Sequence, residues 1–89
     1  MPVSDLKIVN IKGLHARASA KLVEVVEGFD ARATVSKDGL DAGGDSIMGL
    51  LMLAASQGST ITVETEGPEA NQLMQAIAAL VADKFGEGA

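Results

Sequence analysis

The segment Thr60 to Glu66, Thr-Ile-Thr-Val-Glu-Thr-Glu, alternates β-branched and polar side chains. Successive side chains of a strand point to opposite faces, so the alternation describes a strand with one face buried and one wet. Such a strand needs neighbours, and the sheet they form needs one covered face. The covering layer is written elsewhere in the chain. Ala18, Leu22, Val25, Val26 and Phe29 make one apolar stripe on a helix expected over Ala16 to Glu27. Arg17, Lys21 and Glu24 share another, solvated face. Leu73, Met74, Ile77, Leu80, Val81 and Phe85 follow at helical spacing after Gly67-Pro68-Glu69. There proline suits the first turn, and Glu69 complements the helix dipole.

The shorter elements fit between these. Leu6 to Ile11 is apolar-rich and reads as a strand closed by the turn signal Lys12-Gly13. Gly28 is expected to end the first helix in the left-handed conformation. Ala31 to Ser36 alternates as a strand, and Asp38-Gly39 tolerates the positive φ angles of a hairpin turn into a short return strand, Leu40 to Ala42. Ser46 precedes a short, very apolar helix in which Leu50 and Leu53 are expected in the core. The resulting order is β-α-β-β-α-β-α. Strands separated by helices but joined once by a tight hairpin describe an α+β layer pair, whose strand order periodicity does not fix. With neither repeat nor linker, residues 1–89 read as one domain, and residues 86–89 are expected to fray.

Composition removes several function classes. Cysteine, tryptophan and tyrosine are absent, which leaves no thiolate chemistry and few base-stacking side chains. A net charge of −5 opposes non-specific nucleic-acid binding. No window approaches the ~20 apolar residues of a membrane span, and no basic-then-apolar leader opens the chain, so a soluble cytoplasmic domain is expected. The charge is uneven. Residues 10–23 hold Lys12, Arg17 and Lys21 and no acid, a local +3 that leaves −8 for the remainder. Three charges also cluster by chance; alternatively, something anionic visits this window.

The window contains the only histidine, His15, in Gly13-Leu14-His15-Ala16-Arg17. A lone histidine is more often a plain surface or capping residue than a reactive one. A zinc site needs about four ligands, so none is expected here. Neither a nucleophile-elbow serine motif nor a nucleotide-binding Gly-Lys loop is present. Covalent carriage of a phosphoryl group needs one histidine only, because neutral imidazole is nucleophilic at physiological pH. The first N–H groups of a helix, at Ala16 and Arg17, are unpaired and stabilise an added phosphate, and Arg17 brings a permanent planar cation. Gly13 gives the backbone freedom to aim the ring.

Gly13-Leu14-His15-Ala16-Arg17 resembles the phosphorylation-site motif of the HPr family, the histidine-containing phosphocarriers of the bacterial phosphoenolpyruvate-dependent phosphotransferase system. Ser46-Ile47-Met48-Gly49-Leu50-Leu51 resembles the same family's regulatory-serine segment, and Gln57-Gly58 and the strand after it also correspond. The resemblance implies an open-faced β-sandwich, with three helices on one face of a four-stranded antiparallel sheet of order 1-4-2-3. It implies that enzyme I phosphorylates His15 on Nδ1, that enzyme IIA components receive the group, and that Arg17 assists both transfers. Such a protein is a carrier rather than an enzyme and needs no cofactor; the sequence does not fix its oligomeric state, though docking in turn to several partners is easiest for a monomer. The resemblance further implies partner docking by Ala16, Ala20, Ile47, Met48 and Leu51, and phosphorylation of Ser46 by an HPr kinase/phosphatase. Ser46 also has a plain role as helix N-cap in any fold. The chain departs from the family at Ala18, where proline is common, and at Glu24, Glu27, Asp45 and Gly49, where lysine is frequent. Its docking surface is therefore less basic.

Two other readings stand beside the carrier. One is a regulatory module of the same fold acting mainly through Ser46. The other is a small α+β binding domain without covalent chemistry.

Overall fold

The computed structural model describes residues 2–89. In chain order it contains β1 (Val3–Lys7), α1 (Ala16–Glu27), β2 (Arg32–Lys37), β3 (Leu40–Gly43), α2 (Ile47–Met52), β4 (Thr60–Glu66), α3 (Ala70–Ala82) and a single tight turn over Lys84–Gly86. The four strands form one antiparallel sheet of order β1-β4-β2-β3. β4, the alternating strand, lies inside the sheet, with β1 on one side and β2 on the other.

The register puts like with like. Leu6 faces Ile61, and Val35 faces both Val63 and Ala42. Ile61, Val63, Val35, Ala33 and Ala42 are buried beneath the helices. On the open face Arg32 pairs with Glu66 at 2.6 Å, and Thr62 donates to Asp5 at 2.8 Å. Both contacts are exposed cross-strand pairs that favour this register by a fraction of a kcal/mol, roughly 0.2–1 each. The buried side of α1 is Ala18, Ser19, Leu22, Val23 and Val26; α3 contributes Leu73, Met74, Ile77 and Val81. Val25 and Phe29, expected on the α1 stripe, are only partly buried at its edge. Leu50 and Leu53 are core residues, as the sequence indicates. No helix among the described residues is long and apolar enough to cross a membrane.

Several expected boundaries move, each for a physical reason. β1 covers Val3–Lys7 rather than Leu6–Ile11. Ile8 is fully buried, yet its backbone already bonds the α2–β4 connection, through Ile8 N–H to Ser59 C=O and Gly58 N–H to Ile8 C=O, both at 2.8 Å. Gly28 ends α1 at φ −80°, without the left-handed turn expected there. Phe85 is not on α3: the helix stops at Ala82, and Lys84 and Phe85 take φ of 57° and 54°. This turn buries Phe85 completely and sends residues 86–89 back over the β1–α1 loop, where Ile11 N–H bonds Ala89 C=O at 3.2 Å and Asn10 donates to Glu87.

Candidate functional site

The connection from β1 to α1 carries His15, and its shape is set by three backbone links. Gly13 N–H bonds Asn10 C=O at 3.2 Å, Leu14 N–H bonds Ala55 C=O at 2.8 Å, and Ser19 N–H bonds His15 C=O at 2.8 Å, which starts α1. Gly13 sits at φ +65°, and a Cβ there would lie 2.5 Å from the Ala55 carbonyl oxygen. Glycine is thus required both by conformation and by space. Leu14 is buried beside it and pins the loop into the core.

His15 is the N-cap of α1, extended at φ −78° and ψ −179°, and its side chain does not cap the helix. The ring is 27% exposed, so it is free to react yet held from one side. Its Nε2 contacts the Glu87 carboxylate. The other Glu87 oxygen accepts from Asn10 Nδ2 at 2.9 Å, and the same amide donates to Gly13 C=O at 2.8 Å. Asn10 is completely buried. Lys21 donates to the Phe85 carbonyl at 2.6 Å, and Ile11 N–H bonds Ala89 C=O at 3.2 Å. Lys21, placed on a solvated face by the sequence pattern, therefore ties the tail to α1.

The outcome is an open cleft of about 360 Å³ lined by Ile11, Lys12, His15, Arg17, Lys21 and Glu87. The three cations of the basic window converge around the one histidine. Arg17 is exposed and makes no ion pair among the described residues. With the unpaired N–H groups of the first turn of α1, the cleft can hold an anion beside the ring. Ala18, at the position where the family often has proline, is fully buried under this turn.

The other expected site residues lie outside the cleft. Ser46 accepts from Gly49 N–H at 3.0 Å as the N-cap of α2. Ile47, Met48 and Met52 are exposed at 40%, 69% and 72%, an apolar surface on a helix that packs on α1. Ala16 is exposed as well, whereas Ala20 and Leu51 are half-buried. Asn10 and Glu87 are missing from the sequence-based site. Asn10 left a faint signal, a polar residue inside the apolar run Ile8-Val9-Asn10-Ile11; Glu87 left none beyond the Phe85 anchor two residues before it.

A family model described as "PTS HPr component phosphorylation site" matches residues 3–83. The chain belongs to the HPr family. It is 49% identical over 84 residues to phosphocarrier protein HPr of Cupriavidus necator, covering 94% of each chain. It is 43% identical over 83 residues to phosphocarrier protein NPr of Shewanella violacea, covering 93% of this chain and 91% of that one. The crystal structure of HPr-C-His from Thermoanaerobacter tengcongensis superposes with a TM-score of 0.93 at 34% identity, over 98% of both chains. The HPr fold expected from the two motifs, with its 1-4-2-3 sheet and three helices, is the fold observed.

In this HPr-family chain the Glu87 carboxyl is held below its ordinary value of 4.5. The hydrogen bond with His15 is the larger cause and the one from Asn10 the next. A depressed carboxyl stabilises the folded state above its unfolded pKa, and that contribution disappears as pH falls through the folded value. The difference in unfolding free energy between the wild type and Glu87→Gln should therefore shrink steadily as pH falls below about the ordinary carboxylate range. Urea titrations of both proteins from about pH 5 down to about pH 3 check this, and a difference that grows over that interval would contradict it.

Proposed function

We propose that the chain is a phosphoryl carrier of the phosphotransferase system, taking a phosphoryl group onto His15 from enzyme I and giving it to enzyme IIA components. The carrying observation is the cleft: a single, partly exposed histidine at a helix N-terminus, ringed by Lys12, Arg17 and Lys21. Nδ1 is the reacting nitrogen in this reading, since Nε2 is engaged by Glu87. The basic groups and the first-turn amides hold the phosphoryl oxygens during transfer, where positioning and electrostatics supply most of the rate. Docking of enzyme I and of the acceptor is assigned to Ala16, Ala20, Ile47, Met48 and Leu51, with methionine suiting a surface that fits several proteins.

Ser46 supports a second, regulatory role. It lies at the edge of the exposed Ile47 and Met48, next to Asp45, and a phosphate from an HPr kinase/phosphatase would set a dianion into that apolar surface. That phosphate would have to coexist with the capping bond to Gly49.

Labelled phosphoenolpyruvate and cognate enzyme I test the carrier reading. One acid-labile, base-stable phosphate per chain is expected, and none on His15→Ala. An unlabelled wild type, or a labelled His15→Ala, would sink it. Incubation with ATP and the kinase should place an acid-stable phosphate on wild type but not on Ser46→Ala if Ser46 is the regulatory site.

A further inference from the structure

Among the described residues Glu87 is the one charged group in contact with the His15 ring, and the carrier reading gives it no task. It lies past residue 83, where the match to the family model ends. Its placement is built rather than incidental. Lys84 and Phe85 both adopt left-handed backbone, a conformation that non-glycine residues enter only when the surroundings enforce it. Buried Phe85, the Lys21 bond to its carbonyl and the Ile11–Ala89 bond enforce it here. Asn10, sequestered from solvent, then clamps one Glu87 oxygen to the loop that carries His15, leaving the other for the ring.

We propose that Glu87 is a positioning residue for phosphoryl transfer at His15, accepting a hydrogen bond from Nε2–H so that the Nδ1 lone pair faces the cleft, while the carboxylate charge offsets the charge the ring acquires. The proposal rests on the reading of His15 as the phosphoryl acceptor. In the transfer, the Nδ1 lone pair forms the N–P bond. The bond from phosphorus to the phosphorylated donor protein breaks, and its electron pair leaves with the donor. The Nε2 proton stays on the ring, which becomes a phosphorylated imidazolium. When the group moves on, the N–P bond breaks and the ring returns to neutral imidazole. A carboxylate on the far nitrogen favours the charged state, as an aspartate behind a catalytic histidine does. It also fixes which nitrogen carries the proton. The basic cleft alone would do the reverse, because Lys12, Arg17 and Lys21 oppose positive charge on the ring.

The test uses the full chain as wild type, Glu87→Gln and Glu87→Ala, with folding checked by amide ¹⁵N spectra. The Nε2–H resonance of His15 should be protected from solvent exchange in the wild type and lost in Glu87→Ala. Glu87→Gln retains an acceptor but no charge. Single-turnover phosphorylation by phosphoenolpyruvate-charged enzyme I should slow about tenfold in both variants at saturating enzyme I, a modest share of what a positioned acid–base partner contributes. The dependence on enzyme I concentration should stay unchanged, because Glu87 acts on the ring and not on docking. Wild-type rates in both variants, faster transfer in Glu87→Ala, or an equally protected Nε2–H without Glu87 would each overturn the proposal. A wild type that accepts no phosphate overturns the carrier reading instead, and the ring-proton comparison then judges the orienting contact by itself.

Discussion

Gly13→Ala should destabilise the protein by more than about 2 kcal/mol and slow phosphorylation of His15 by at least tenfold. Two separate costs meet at this position. Holding an L-residue at φ +65° costs roughly 1–2 kcal/mol from its own backbone. The added Cβ would also lie 2.5 Å from the Ala55 carbonyl oxygen and 2.9 Å from Ser56 Cα. Neither neighbour is a flexible side-chain end that can swing away. The loop or the α2–β4 connection must shift, and the Leu14 N–H to Ala55 C=O bond between them is the first to suffer. His15 is two residues on, and a displacement of about 1 Å at a reacting group is enough to cost up to a hundredfold in rate. Gly58→Ala separates the two causes. Gly58 is also left-handed, at φ +89°, but a Cβ there meets nothing within 4 Å. Gly58→Ala should show the backbone cost alone, with phosphorylation close to wild type. Thermal melts and single-turnover labelling of the two variants decide the matter, and equal stability losses would show that the close approach at Gly13 is relieved without consequence.

What could be read before the structure follows from the range of the interactions involved. β4 was legible to the residue because its alternation is a local pattern imposed by one buried face. The start of α1 at Ala16 and the cap at Ser46 were legible for a like reason, since each lies within one turn of its determinant. The motif around His15 named the candidate reactive group and the cation beside it in the chain. Periodicity failed where apolar residues serve a loop. Leu6, Ile8, Val9 and Ile11 look like a strand, but pairing with β4 ends at Lys7, Ile8 is buried against the α2–β4 connection, and Ile11 is 65% exposed at the cleft. It failed again at Phe85, whose helical spacing from Val81 concealed a change to left-handed backbone at Lys84. The contacts of Asn10, Lys21 and Glu87 join positions far apart in the chain, and no window of sequence contains both ends. The cationic side of the site was therefore legible, and its anionic side was not.

Phe85→Ala should cost about 3–5 kcal/mol, the range for removing a large aromatic from a packed core. For a domain of this size that is a melting point lower by about 15 °C or more. The residue looks expendable by position, four from the end of the chain, and a frayed tail would make the loss small. Its burial argues otherwise. Phe85 is 0% exposed within the same cluster as Leu22, Ile77 and Val81. The backbone accepts two consecutive left-handed residues to place it there, a strain of roughly 1–3 kcal/mol each that only a larger gain can sustain. With the ring removed, that strain has nothing to offset it, and the tail has reason to detach. Lys21 then loses its carbonyl partner, Asn10 loses the Glu87 carboxylate, and His15 loses its contact with that carboxylate. The variant should thus combine a large equilibrium destabilisation in urea with rapid amide exchange at Gly86 and Glu87. Its His15 Nε2 proton should be as unprotected as in Glu87→Ala. A loss below about 1 kcal/mol would place Phe85 outside the cooperative core and make the tail an independent flap over the histidine.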